Sequence, residues 1–345
     1  MSTLPESDPL NPKDSATPAE SASPGATPSE NLPVERWHSF SMPAEPALTP
    51  SETPAQLSPI VEPVLFQSFA QPPVPPPARI PNFGHLLLLI PLLGIGMIVA
   101  GVIFLAGAHF HVFGVSSLQD AGTEIHYLLG TEAILYVVTF ACCLFVFPLF
   151  WRESLIAGLQ WNGRTALRLR WRLAGAAVVC FVLALVNGEF LPGPTNAPIE
   201  KILQVPGAAW LLFGFGITFA PFFEETFFRG FLLPALSTAC DWIAETLAGK
   251  PRRPLGENGH PQWSFAAMAV ASVLTSIPFA ALHAQQTGYS IGPFLLLVCV
   301  SIVLCGVRLF TRSLAASVTV HACYNFLLFT VMLIGTDGFR HLDKM

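Results

Sequence analysis

Hydrophobic and polar positions divide the chain into two unlike parts. Residues 1–80 are polar and dense in proline, most of all at Pro72-Pro73-Val74-Pro75-Pro76-Pro77. From Phe83 onward apolar runs cover 83–107, 127–151, 172–190, 207–236, 263–284, 291–310 and 313–334. Most are close to the roughly 20 residues a helix needs to cross a bilayer. The pattern predicts an all-α, polytopic transmembrane bundle of seven spans, with room for an eighth, shorter or half-inserted one within 191–206. The fourth run is the longest and contains Pro221, so a break or strong tilt is expected there. Residues 1–80 hold too few large apolar side chains to offset the entropy of ordering, and a disordered tail is expected. A solvated tether is its expected role, with the PxxP-like stretches as a groove-binding alternative.

Composition sharpens this class. The 345 residues are 52% hydrophobic and 11% charged, against about 25% charged in soluble domains. The net charge of −5 comes from the tail, which has nine acids and three bases in residues 1–80. No basic patch with interleaved aromatics points to nucleic acid. Loops 152–171 (Arg152, Arg164, Arg168, Arg170) and 237–262 (Lys250, Arg252, Arg253) and the turn holding Arg308 and Arg312 are basic, while 108–126 and 285–290 have no Lys or Arg. By the positive-inside rule the basic loops and the tail are expected in the cytoplasm, with the C-terminus outside. The first span starts too late for a cleaved signal peptide and reads as a retained anchor, in a bacterial inner or plasma membrane. Trp151, Trp161, Trp171, Trp210, Trp242 and Trp263 lie near span ends, as an aromatic belt would. Residues 155–171 mix Leu, Trp and Arg and are expected along the interface. The seven cysteines lie in or beside apolar runs without a C-x-x-C pair, and read as small buried hydrophobes, not disulfides or zinc ligands.

The chemistry lies in the charges that interrupt these runs. A charge at membrane depth costs at least about 2.5–3.5 kcal/mol, so it is rarely present without a partner or a task. Glu225 and Arg229 are four apart, share a helix face and pair. Glu224 points elsewhere and is left over. Phe279 and His283 end the fifth run, and His321 and Asn325, again four apart, share a face of the seventh. Brought together, these groups suit peptide-bond hydrolysis: Glu224, with His283, takes a proton from water, and His321 and Asn325 donate to the developing oxyanion. No Ser or Cys stands in a motif beside a base, which disfavours a covalent nucleophile. Glu224, His283 and His321 are also an ordinary donor set for zinc or another divalent metal, although the H-E-x-x-H spacing is absent. Metal-free and metal-assisted activation both stay open. The bland readings are a structural ion pair for Glu225–Arg229, packing for Phe279 and hydrogen-bonding struts for the histidines. Glu132, in the second run, has no evident partner. Glu189 faces water, and His109, His111 and His126 read as solvated loop histidines. A non-catalytic immunity or scaffold protein, or a proton-coupled transporter, is the rival class.

Glu224-Glu225-x-x-x-Arg229, then Phe279-x-x-x-His283, then His321-x-x-x-Asn325, in order in apolar spans, resembles the CPBP family of type II CAAX prenyl endopeptidases and bacteriocin-processing or Abi-type membrane proteases. The following Gly230-Phe231-Leu232 is also family-like. The resemblance implies an all-helical intramembrane endopeptidase in which Glu224 and His283 activate water, His321 and Asn325 form the oxyanion site, and Glu225 and Arg229 support them. The implied partners are the bilayer and a membrane-embedded or lipidated peptide, prenylated or of leader type. The implied organisation is a tail over 1–80, N-terminal helices and a basic interfacial loop over 81–204, a protease core over 205–335 and a C-terminal tail over 336–345. One geometric demand follows. If the fifth span starts at the inner face near Trp263, His283 falls near the outer face, whereas His321 lies only about 12 Å from the start of the seventh span. A shared site then requires tilted, broken or unequal helices.

Overall fold

A computed structural model describes residues 80–340, apart from 192, 195, 196 and 257–259. The tail expected over 1–80 lies outside these residues except for Ile80, as do residues 341–345 of the C-terminal tail. Among the described residues every regular element is a helix. In chain order they are α1 (Phe83–His109), α2 (Leu118–Ala121), α3 (Ile125–Trp151), α4 (Leu155–Gly158), α5 (Gly163–Arg168), α6 (Arg170–Phe190) and α7 (Pro198–Leu203). There follow α8 (Ala208–Ile217), α9 (Phe219–Glu225), a π-helical segment (Thr226–Leu232), α10 (Leu233–Leu247), α11 (Phe265–Leu282), α12 (Ile291–Thr311) and α13 (Leu314–Gly335). Among the described residues seven stretches are long and apolar enough to cross a membrane: α1, α3, α6, the composite 208–247, α11, α12 and α13. Among the described residues of 191–206 the one helix is the six-residue α7, too short for an eighth span. Large apolar side chains point outward along α1 and α3, among them Ile98 (68% exposed) and Leu149 (79%). That is the pattern of a chain solvated by lipid, where close packing of small residues holds helices together in place of hydrophobic burial.

Two packed cores organise the bundle. In one, Leu173, Ala177 and Cys180 of α6 meet Leu304 of α12 and Ala316 and Val320 of α13. In the other, Leu89 of α1, Phe147 and Trp151 of α3, and Phe231 of the π segment enclose Leu155 and Leu159. The stretch expected to lie along the interface therefore inserts Leu155 and Leu159, each 1% exposed, into the protein. Trp151 is likewise a core residue, whereas Trp171, Trp210 and Trp242 are exposed. Arg308 also departs from expectation. It is 3% exposed and donates through Nε to the Arg229 carbonyl (3.2 Å), and through its terminal nitrogens to Gln160 Oε1 (2.9 Å) and the Leu159 carbonyl (3.3 Å). Residues 159–160 reach over the end of α12 and supply these acceptors, so a charge assigned to a loop is buried. All seven cysteines are free thiols, but Cys299 and Cys323 are exposed, not buried.

The fourth span is broken as expected, though not at the proline. Thr218, with φ −123° and ψ −75°, separates α8 from α9. Pro221 lies three residues later and lacks the N–H that would bond back to Ile217. From Phe219 the helix then runs to Leu247 through the π segment. Leu233 N–H reaches back to Phe228, and Pro234 has no N–H to offer the Arg229 carbonyl five residues before it. Arg308 supplies the missing donor.

The length of α10 resolves the demand for unequal helices. Ser264 begins α11 against Asp241, with its N–H 2.9 Å from Oδ2 and its Oγ 2.6 Å from Oδ1. Asp241 lies twelve residues beyond Arg229, about 18 Å along a helix. α11 therefore starts well past the end of α12 and runs back antiparallel to α10. Its 18 residues rise about 27 Å and return His283 to the level of Glu224.

α1 and α3 are in such close contact that a Cβ on Gly96 would lie 2.3 Å from Thr139 Oγ1 and 2.9 Å from the Leu135 carbonyl. Gly101, on the same helix, has nothing within 4 Å. Gly96→Ala is expected to destabilise the protein by about 1–3 kcal/mol, as overpacking does, and Gly101→Ala to leave it unchanged or slightly stabilised. Thermal unfolding in detergent compares the two; equal midpoints would contradict this α1–α3 contact.

Candidate functional site

The site is built on a buried ion pair. Arg229 and Glu225, one turn apart on the fourth span, are both 0% exposed and 2.9 Å from each other. Each remaining polar atom of the carboxylate has a partner from another helix. Glu225 Oε1 also meets His321 Nδ1 at 2.9 Å, and Oε2 accepts from the Ser317 hydroxyl. On the arginine, one terminal nitrogen donates to Ser301 Oγ (2.7 Å) and to the Ser301 carbonyl (3.2 Å). Its guanidinium carbon stacks 4.5 Å from the Phe279 ring centre. One pair thereby ties the fourth span to α11, α12 and α13. Phe279 is a hub as much as packing: its ring lies 5.0 Å from His283 and 5.9 Å from His321.

Glu224 is the contrast. Its Oε1 lies 3.9 Å from His283 Nε2 and its Oε2 3.9 Å from His321 Nε2, too far for hydrogen bonds. Oε2 is buried and has no hydrogen-bond partner. The ring orientations explain what these nitrogens offer. His283 Nδ1 lies 2.9 Å from the Phe279 carbonyl. A carbonyl only accepts, so Nδ1 carries the proton and Nε2 of the neutral ring presents a lone pair. His321 Nδ1 faces the Glu225 carboxylate, which fixes the same tautomer. Two Nε2 lone pairs and a carboxylate thus converge, at separations that one water molecule bridges.

Asn325 lines the same cavity as Glu224, His283 and His321. One of its amide N–H groups donates to the Gly216 carbonyl at 2.7 Å, which leaves the other. This bond joins α13 to the end of α8, just before the break at Thr218. Two cavities meet at Glu224 and His283. One, of about 590 Å³, is apolar and lies against α1 and α3. The other, of about 1000 Å³, reaches α7, α12 and α13. Glu132 belongs to the walls of both and is not partnerless, because it accepts from Tyr136 at 2.7 Å. Glu189 is exposed. Of the loop histidines, His126 pairs with Glu124 at 2.5 Å, and His111 meets the Val115 carbonyl at 2.9 Å.

The metal option can be tested on this geometry. Zinc at about 2.0–2.2 Å from each ligand holds tetrahedral neighbours about 3.4 Å apart, less than the 3.9 Å separations at Glu224. Among the described residues no group of three or more His, Cys, Asp or Glu side chains is drawn close enough to hold a metal ion. To hold zinc, Glu224, His283 and His321 would have to draw closer together than they stand.

Two partners of the ion pair, and Gln160, which accepts from Arg308, had no sequence signal that singled them out. Ser317 is one turn before His321, so helix spacing alone places it on the right face. Ser301 and Gln160 are defined only by tertiary contact.

Residues 206–327 match the family model described as type II CAAX prenyl endopeptidase Rce1-like. The match runs from the start of the broken span to α13 and covers 122 of the 345 residues. No curated protein and no solved structure matches the chain.

The two neighbouring glutamates should respond oppositely to substitution. Glu225→Ala or Arg229→Ala leaves a buried charge without its partner and should cost about 3–5 kcal/mol. Glu224→Gln removes a charge that no donor satisfies and should leave the unfolding temperature unchanged or raise it. Thermal unfolding of the three purified variants tests this, and a Glu224→Gln protein as unstable as Glu225→Ala would refute the division of roles.

Proposed function

Taking residues 206–327 as a CPBP-family membrane domain, we propose that the chain is an intramembrane endopeptidase. The observation that carries this reading is Glu224 Oε2, buried and unpartnered where two cavities and two Nε2 atoms meet. A water molecule held between Glu224 and the histidines donates one proton to the Glu224 carboxylate. Its oxygen adds to the peptide carbonyl carbon. Charge builds on the former carbonyl oxygen. The free N–H of Asn325 donates to it, and His321 Nε2 serves as a second donor after taking up a proton from the medium, which it gives back when the intermediate collapses. Collapse breaks the C–N bond. The proton taken by Glu224 passes, with His283, to the leaving nitrogen, giving a new carboxyl terminus and a free amine. The steps use these side chains and one water molecule.

The substrate is a peptide that arrives from the bilayer. Leu89 and Leu93 of α1, Leu135 and Phe140 of α3, and Phe227 and Phe231 line the apolar cavity beside Glu224. That wall suits a lipid chain on the peptide or a run of apolar side chains, while the larger and more polar cavity takes the backbone. A prenylated peptide and an unmodified apolar segment are the two substrate forms to compare.

With full-length protein in proteoliposomes and a quenched-fluorescence peptide carrying either form, Glu224→Gln, His283→Ala and His321→Ala should each lower kcat/KM by about 10²–10⁴, the usual contribution of acid–base groups. Unchanged cleavage in all three would falsify the reading. Turnover should also survive exhaustive chelation; loss on chelation with recovery on adding back zinc would instead make the donor set a metal site.

A further inference from the structure

α3 carries an acid that the proposed hydrolysis does not use. Glu132 lies outside the stretch matched by the family model. Its Oε1 accepts from the Tyr136 hydroxyl at 2.7 Å, and the Tyr136 ring stacks 5.0 Å from Phe223, the residue before Glu224. These contacts fix the Glu132 carboxylate relative to the candidate nucleophile-activating group. Among the described residues Glu132 forms no ion pair with any Lys, Arg or His. The walls of both cavities include Glu132, Glu224, His283 and Gln286. A chain that threads from one cavity to the other therefore passes Glu132 close to the bond facing Glu224.

The electrostatics of this junction are one-sided. The described wall of the apolar cavity carries two carboxylates and no Lys or Arg, and that of the larger cavity carries only Lys201. Glu224 Oε2 is itself buried without a donor. Uncompensated charge in membrane-depth surroundings calls for a counter-ion. A small inorganic cation would need several oxygen ligands, whereas Glu132 offers one carboxylate beside a hydroxyl already used as a donor. An organic cation on a flexible stem, long enough to enter the cavity and carrying its own N–H groups, fits better.

We propose that Glu132 is a specificity-determining residue that selects peptides carrying a Lys or Arg side chain next to the scissile bond. This rests on the endopeptidase reading. The experiment uses the full-length chain in detergent and a set of labelled apolar peptides, each with Lys or norleucine at one position across the central segment. Cleavage is followed with the native residue at 224, and binding in a Glu224→Gln background in which peptides stay intact. At one or two adjacent positions the Lys peptide should be favoured about tenfold over norleucine, in kcat/KM and in Kd. Glu132→Gln should bring both ratios close to one, and Glu132→Lys should favour the matching Glu peptide. Glu189→Gln, an exposed acid at the end of α6, should keep the preference. Because ratios are read, a general loss of folding does not imitate the effect. A Lys preference in binding that vanishes in Glu132→Gln, without cleavage by the native chain, keeps this inference and overturns the endopeptidase reading. Cleavage without any Lys preference, or a preference that persists in Glu132→Gln, overturns the inference alone.

Discussion

The site depends on one fully buried ion pair, Glu225 with Arg229. Two charges at this depth are tolerable only because each is paired and hydrogen-bonded. The additional contacts come from three other helices: the ring face of Phe279 on α11, and hydrogen-bonding groups of Ser301 on α12 and of Ser317 and His321 on α13. Meeting the demands of the pair therefore aligns the helices that carry the histidines. Glu225 orients His321 through Nδ1 and turns Nε2 towards Glu224. The pair also absorbs the positive charge nearest to Glu224, leaving that carboxylate without a fixed cation. Structure and chemistry are divided between adjacent residues of one helix.

Backbone irregularity completes the arrangement. A regular helix through 208–247 would offer no carbonyl to a side chain at Arg229. The π segment and Pro234 expose that carbonyl, and Arg308 fills it while gripping residues 159–160. Local π-helical turns are frequent at functional sites, and here the turn lies directly after the two glutamates. The break at Thr218 serves the opposite end, where Asn325 holds the Gly216 carbonyl. The depth of His283 is set outside the bundle proper, by the Asp241–Ser264 contact that starts α11 far along α10.

Much of this was legible in the chain itself. Apolar runs located all seven spans to within a few residues except the fourth, whose helix continues to Leu247 because α10 is amphipathic and its polar residues, Asp241 and Glu245, are buried against protein. Four-residue spacing identified Glu225–Arg229 and left Glu224 over. The same spacing joins Glu132 to Tyr136, a pairing overlooked because a tyrosine is not a counter-ion. What stayed hidden was tertiary. Arg308 reads as one more basic loop residue, since hydropathy does not reveal that residues 159–160 cover it. Ser301 is indistinguishable from any membrane-span serine until Arg229 reaches it. The level of His283 followed from the length of α10, which no motif encodes.

The central claim is that Arg229 belongs to Glu225 and not to Glu224. Double-mutant cycles on the purified protein measure this directly, combining Arg229→Met with Glu225→Gln in one cycle and with Glu224→Gln in the other. The account predicts a coupling of about 2 kcal/mol or more for Glu225–Arg229 and less than about 0.5 kcal/mol for Glu224–Arg229. Equal couplings, or the larger one at Glu224, would contradict it.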